Sequence, residues 1–155
     1  MITVKITVEK PVAEYIRGKY FDHEAGAVRF PSDLDIYVLI YDLLQRRPVD
    51  SPVDSGNLEF ILPERRVGKD PLTYNYLSGR AQKMLSDKMR LMMWAELHDF
   101  MDENKHIKGI QFKDSVFTFM RRYSIESISE DALFKNYQRW RYKLRRKQKR
   151  GYTRK

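Results

Sequence analysis

The apolar residues of this chain change their period along its length, and that change limits the folds open to it. In ITVKITV, Ile2, Val4, Ile6 and Val8 alternate with Thr3, Lys5 and Thr7, the spacing of a strand with one buried face. AVRF at 27–30 is short and β-like and is closed by Pro31. NLEFILP at 57–63 alternates Leu58, Phe60 and Leu62 and is stopped by Pro63. Beyond residue 70 the apolar spacing is helical instead. Strands gathered at the front and helices at the back predict an α+β protein.

Two helices are expected between the first strands. Pro11 suits a first helical turn, and Val12, Ile16 and Tyr20 line an inner face to about residue 20, although Gly18 weakens that helix by up to about 1 kcal/mol. Ser32 reads as an N-cap with Asp35 in the first turn. Ile36, Leu39, Ile40, Leu43 and Leu44 then carry a helix to about Gln45, with Arg46 and Arg47 at its C-terminal end. PVDSPVDSG at 48–56 is a loop. Residues 1–66 are thus expected to form a small β-α-β-α-β unit with a three-stranded sheet. Such a sheet has exposed edges that a second copy can cover, so a homodimer through this unit is the expected self-association.

Residues 70–155 are expected to form a helical unit. Asp70 is placed as N-cap and Pro71 as the first residue of a helix to about Asn104, broken only by Gly79 into a short piece and a longer one. Its apolar residues, from Ala81, Met84 and Leu85 to Trp94, Ala95 and Leu97, wrap more than one face, which predicts burial against several neighbours. After Gly109, FKDSVFTFMRRY sets Phe112, Val116, Phe119, Met120 and Tyr123 on one stripe. Ser129 is placed to cap the last helix, with Glu130 and Asp131 in its first turn. The last two helices form a helix-turn-helix-like pair whose second member ends basic.

The charge of the chain is segregated. Its net charge is +9, yet residues 135–155 hold eleven Lys and Arg and no acid, so residues 1–134 net −2. In the last helix Leu133, Tyr137, Trp140 and Leu144 form a packing stripe, and the basic side chains point elsewhere. Cations at this density release condensed counterions from phosphates and supply a salt-sensitive affinity for nucleic acid. The expected contact residues are Lys135, Asn136, Gln138, Arg139, Arg141, Tyr142, Lys143, Arg145, Arg146, Lys147, Lys149 and Arg150. Of these, Asn136, Gln138 and Arg139 would read bases if the helix entered a major groove. Tyr142 and Tyr152 are the freer aromatics, able to stack on unpaired bases if the ligand is single-stranded or RNA.

Other classes of chemistry have little foothold. The absence of cysteine removes disulfides, thiolate catalysis and the usual structural zinc sites. GxGxxG, GxxxxGK[ST] and GxSxG motifs are all missing. His98, Asp102 and His106 are spaced four apart, with Asp99 and Glu103 beside them, a pattern that a metal-dependent nuclease could use but that also describes the polar end of a long helix. His23 and Glu24 are neighbours in a loop, which sets no acid–base geometry. The sequence has no apolar run of bilayer length and no signal-peptide pattern at its start, so a cytoplasmic protein is expected.

GKDPLTYNYLS, WAELHDFMDENKH and FKDSVFTFMRRYSIESISEDALFKNYQRWRYKLRRK together resemble segments of small basic proteins of Mu-like prophages and related mobile elements. The resemblance covers about the last 80 residues and implies a role in the DNA transactions of a mobile element, such as control of transcription or replication. It brings no catalytic motif and no site residues. The expectation is therefore a non-enzymatic DNA-binding protein, with duplex DNA as the expected form, without cofactor or metal. The alternatives are an adaptor whose basic tail meets an acidic protein, and a metal-dependent nuclease.

Overall fold

A computed structural model describes residues 1–65 and 67–152, with side chains through Gln148. The protein is α+β, as expected, and divides into two compact units, 1–93 and 94–155. The first runs β1 (Thr3–Ile6), α1 (Lys10–Tyr20), β2 (Phe21–Asp22), β3 (Ala27–Val28), α2 (Asp35–Leu43), β4 (Gln45–Arg46), β5 (Leu58–Ile61), β6 (Tyr74–Tyr76) and the start of α3 (Gly79–His106).

The three strands read from the sequence are β1, β3 and β5, and they lie side by side in a four-stranded mixed sheet of order β1-β5-β3-β2. β1 and β5 are antiparallel in the register Val4 to Phe60, and Phe60 also faces Val28 across the parallel β3–β5 pair. The alternation in β1 is realised, with Val4, Ile6 and Val8 buried and Lys5 exposed. Ile16 of α1, Ile36 and Ile40 of α2, and Leu58 and Phe60 of β5 are all shut off from solvent and make the core of this unit.

Three expectations are corrected. α2 begins at Asp35 without a side-chain cap, because the Leu34 N–H is taken by the Pro31 carbonyl in a turn at 3.2 Å, so Ser32 is not its N-cap. The same helix stops at Leu43, and Gln45–Arg46 become β4, paired with β6. The cation at its C-terminus is Lys69, whose Nζ donates to the carbonyls of Tyr41 and Asp42 at 2.9 Å. Arg47 instead fastens the following loop, donating to Asp54 and to the Asn75 side chain and carbonyl at 2.9 Å.

The long helix also begins later than the acid–proline signal at Asp70-Pro71 suggests. Asp70 Oδ1 accepts the Leu72 N–H and its carbonyl accepts those of Thr73 and Tyr74, which closes a turn. Tyr74–Tyr76 then pair with β4, so α3 begins at Gly79, with Ser78 Oγ accepting the Ala81 N–H at 3.2 Å. Gly79 therefore starts the helix instead of dividing it. Nor is α3 buried all round: Ala81, Leu85, Met89, Met93, Leu97 and Met101 are buried, whereas Met84, Leu91 and Ala95 are exposed. Because β6 and the first half of α3 belong to the first unit, the division falls inside α3 and not between residues 66 and 70. Among the described residues no helix is long and apolar enough to cross a membrane.

One glycine is required where the loop at 48–56 returns to the sheet. Gly56 has φ +155, and a Cβ there would run into the Ile6 carbonyl. The next residue, Asn57, continues the β1 ladder with its side chain, accepting the Val8 N–H at 2.9 Å and donating to the Val8 carbonyl at 2.7 Å. Gly56→Ala is expected to lower stability by about 3 kcal/mol. Gly26→Ala, at φ +70 but with open space around it, is expected to cost only about 1 kcal/mol. Urea denaturation of the two variants measures the difference.

Candidate nucleic-acid interface

The second unit consists of the end of α3 with α4 (Phe112–Arg122) and α5 (Glu130–Tyr152). α4 closes on Ser124 at φ +53, with the Ile125 N–H donating to the Met120 carbonyl at 2.9 Å. Residues 123–129 connect it to α5, which starts as expected: Ser129 Oγ accepts the Ala132 N–H at 3.1 Å, and Glu130 and Asp131 occupy the first turn. Leu133 and Tyr137 are buried and Trp140 and Leu144 half-buried, so the packing stripe read from the sequence is the inner face of α5.

A polar seam joins α5 to α3. His98 lies between two tryptophans, its ring centroid 4.6 Å from that of Trp140 and 6.3 Å from that of Trp94, and its Nε2–H donates to Asn136 Oδ1 at 2.7 Å. One turn further along α3, Asp102 accepts the Tyr137 hydroxyl and, at 3.4 Å, the Arg141 guanidinium. Arg141 also reaches His106 Nε2 at 3.3 Å. Burial, with Asp102 as a neighbour, pushes the Tyr137 hydroxyl well above the usual tyrosine range, so it stays a donor. On the other side of α3, Asn104 donates to Ser115 Oγ at 3.1 Å within the core.

This seam sorts the expected contact residues. Asn136 and Arg141 are used within the packing, and Lys135 is paired with Asp131 at 2.9 Å one turn back. Gln138, Arg139, Tyr142, Lys143, Arg145, Arg146 and Lys147 are exposed. At about 100° per residue, Lys135 and the exposed residues from Gln138 to Arg146 fall within an arc of about 160°, opposite the buried stripe. The side chains of Lys149, Arg150 and Tyr152 lie outside the described residues.

The outward arc borders an open groove of about 730 Å³, lined by Arg139, Tyr142, Lys143, Arg145 and Arg146 of α5, with Lys105 and His106 from the end of α3. Phe112 and Tyr137 contribute to the same lining, with ring centroids 5.1 Å apart, and Lys105 Nζ is 5.3 Å from the centre of the Phe112 ring. Lys105, His106 and Phe112 did not figure among the expected contact residues. Nothing in their local sequence places them beside a helix that begins about 20 residues later.

The residues of the nuclease alternative have other roles. His98 and Asp102 are held in the seam, and Glu103 pairs with Lys108 at 3.8 Å. Among the described residues no three His, Asp or Glu side chains converge as a metal site. No protein-family model matches the chain, and neither a curated protein nor a solved structure is similar to it.

The seam makes stability depend on pH. Burial holds the His98 imidazole below its ordinary value of about 6.5. The unfolded chain therefore takes up the proton first, and the stability conferred by neutral His98 is full above that ordinary value and is lost as the pH falls through the folded one. Melting temperature is expected to drop between about pH 7 and pH 5, and to drop less in His98→Gln. Asn136→Ala is expected to cost about 1–3 kcal/mol of stability by orphaning the imidazole N–H. Thermal melts across that pH range check both.

Proposed function

We propose that this protein binds nucleic acid through the outward face of α5 and does so without catalysing a reaction. The observation that carries the reading is the arc itself, which presents Arg139, Lys143, Arg145 and Arg146 to solvent along one side of a packed helix. From Lys135 to Arg146 it runs about 17 Å, at 1.5 Å per residue. Among the described residues no carboxylate lies within ion-pairing distance of Lys143, Arg145, Arg146 or Lys147. Guanidinium groups displayed in this way match phosphate oxygens in pairs.

The contact is with phosphate more than with base edges. In a helix-turn-helix docking, the start of the second helix enters the major groove. Here that start carries Glu130 and Asp131, which a polyanion repels, and the amide of Asn136 is held by His98. An accessory or regulatory role in the DNA transactions of a mobile element suits a module that grips phosphate in this way.

Affinity for a labelled oligonucleotide is expected to fall steeply with salt. Replacing Lys143 and Arg146 together by Gln should reduce the slope of log affinity against log salt by about 1.4 to 1.8. Fluorescence anisotropy over a salt series gives both slopes. Binding that ignores salt, or a slope that the double variant leaves unchanged, would overturn the proposal.

A further inference from the structure

Tyr142 is the one large aromatic on the outward arc of α5, and it is 65% exposed. Among the described residues no ring stacks on it and no hydrogen bond holds its hydroxyl. Leaving so much aromatic surface in water is unfavourable. Its surroundings on the helix are specific: residues three and four apart share a face, so the ring lies between Gln138 and Arg139 on one side and Arg145 and Arg146 on the other. It also lines the groove to which Lys105, Phe112 and Tyr137 contribute.

A ring among guanidinium groups, lining a basic groove together with Phe112 and Tyr137, has the chemistry of a nucleotide subsite. Bases stack on aromatic faces whatever their sequence, while cations around the ring track the backbone. The bases of a duplex are stacked on one another and their faces are out of reach. Those of a single strand are not. The groove volume of about 730 Å³ is of the size that holds a small ligand, and a nucleotide is such a ligand.

We infer that the groove takes an unpaired nucleotide of a single strand, whose base stacks on Tyr142 while Arg139, Arg145 and Arg146 hold the flanking phosphates. This rests on the nucleic-acid reading above and narrows it, from the duplex expected from sequence to unpaired strand. Lys105 and Arg139, which line the same groove from α3 and α5, then act together, which a contact made by α5 alone would not require.

The test compares oligo(dT), oligo(rU) and a duplex of equal length by anisotropy at one salt concentration, with the full chain and with Tyr142→Ala and Tyr142→Phe. Tyr142 is exposed, so neither change disturbs the packing, and circular dichroism checks that helicity is kept. Tyr142→Ala is expected to weaken single-strand binding by about 5- to 150-fold and to leave duplex binding unchanged, with Tyr142→Phe close to the parent. This pattern on either the deoxy or the ribo strand supports the inference. Equal losses on strand and duplex, or no loss on either strand, overturn the inference while the nucleic-acid reading stands. Failure of the parent protein to bind any of the three probes at low salt overturns both.

Discussion

Asp102 is the constraint from which the surface of the second unit follows. A half-buried carboxylate must be supplied with donors or its desolvation is unrecovered. Here α5 supplies two, the Tyr137 hydroxyl and the Arg141 guanidinium, from positions four residues apart on one side of the helix. With His98 bound to Asn136 one turn earlier, the rotation of α5 about its axis is fixed by specific pairs as well as by the apolar stripe. Turning the helix by a single residue would move every side chain by about 100°, parting Asp102 from Tyr137 and bringing outward cations against apolar neighbours. The direction in which Arg139, Tyr142, Lys143 and Arg146 point is therefore a consequence of the seam.

Most elements that could be read from the sequence carry their own periodicity; β3, two residues long, was read instead from the short apolar run closed by Pro31. β1 and β5 alternate over four residues or more, and α1, α4 and α5 show apolar stripes, so each was legible locally. β2 and β4, at two residues each, and β6, at three, are too short to have a period, and they exist because a partner strand supplies their hydrogen bonds. Asp70-Pro71 shows the same limit from the other side. An acid followed by proline opens a helix or a turn equally well, and the pairing of Tyr74–Tyr76 with β4 decides for the turn. The boundary between the two units was illegible for a related reason, since it falls within the uninterrupted helix α3.

For the candidate site, the concentration of charge was plain from composition, but its availability was only partly so. Arg139 and Arg141 are two residues apart and so point about 160° from each other, which leaves Arg139 exposed, with its Nε donating to the Lys135 carbonyl one turn back at 3.4 Å, and makes Arg141 structural. A signal for this was present in the sequence: Arg141 lies four residues after Tyr137 and eight after Leu133, at the margin of the packing stripe. The pairing of Asn136 with His98 spans 38 residues and has no such local signal. The same is true of Lys105, His106 and Phe112, whose place in the groove depends on how α3, α4 and α5 come together.

The order of charges along α5 is the one that the proposed contact with a polyanion requires. Glu130 and Asp131 at the start and cations at the end both agree with the helix dipole. An inexpensive way to keep a charged helix stable is to alternate signs at a spacing of four, as Asp131 and Lys135 do at 2.9 Å. After residue 131 the chain never does this again. Arg139 with Lys143, Lys143 with Arg146 and Lys143 with Lys147 are like-charge neighbours, each unfavourable by about 0.2–0.5 kcal/mol. One or two glutamates on this face would lessen that repulsion. A polyanion lying along the face, as proposed, would relieve the repulsion, and for such a partner every omitted acid would be a gain.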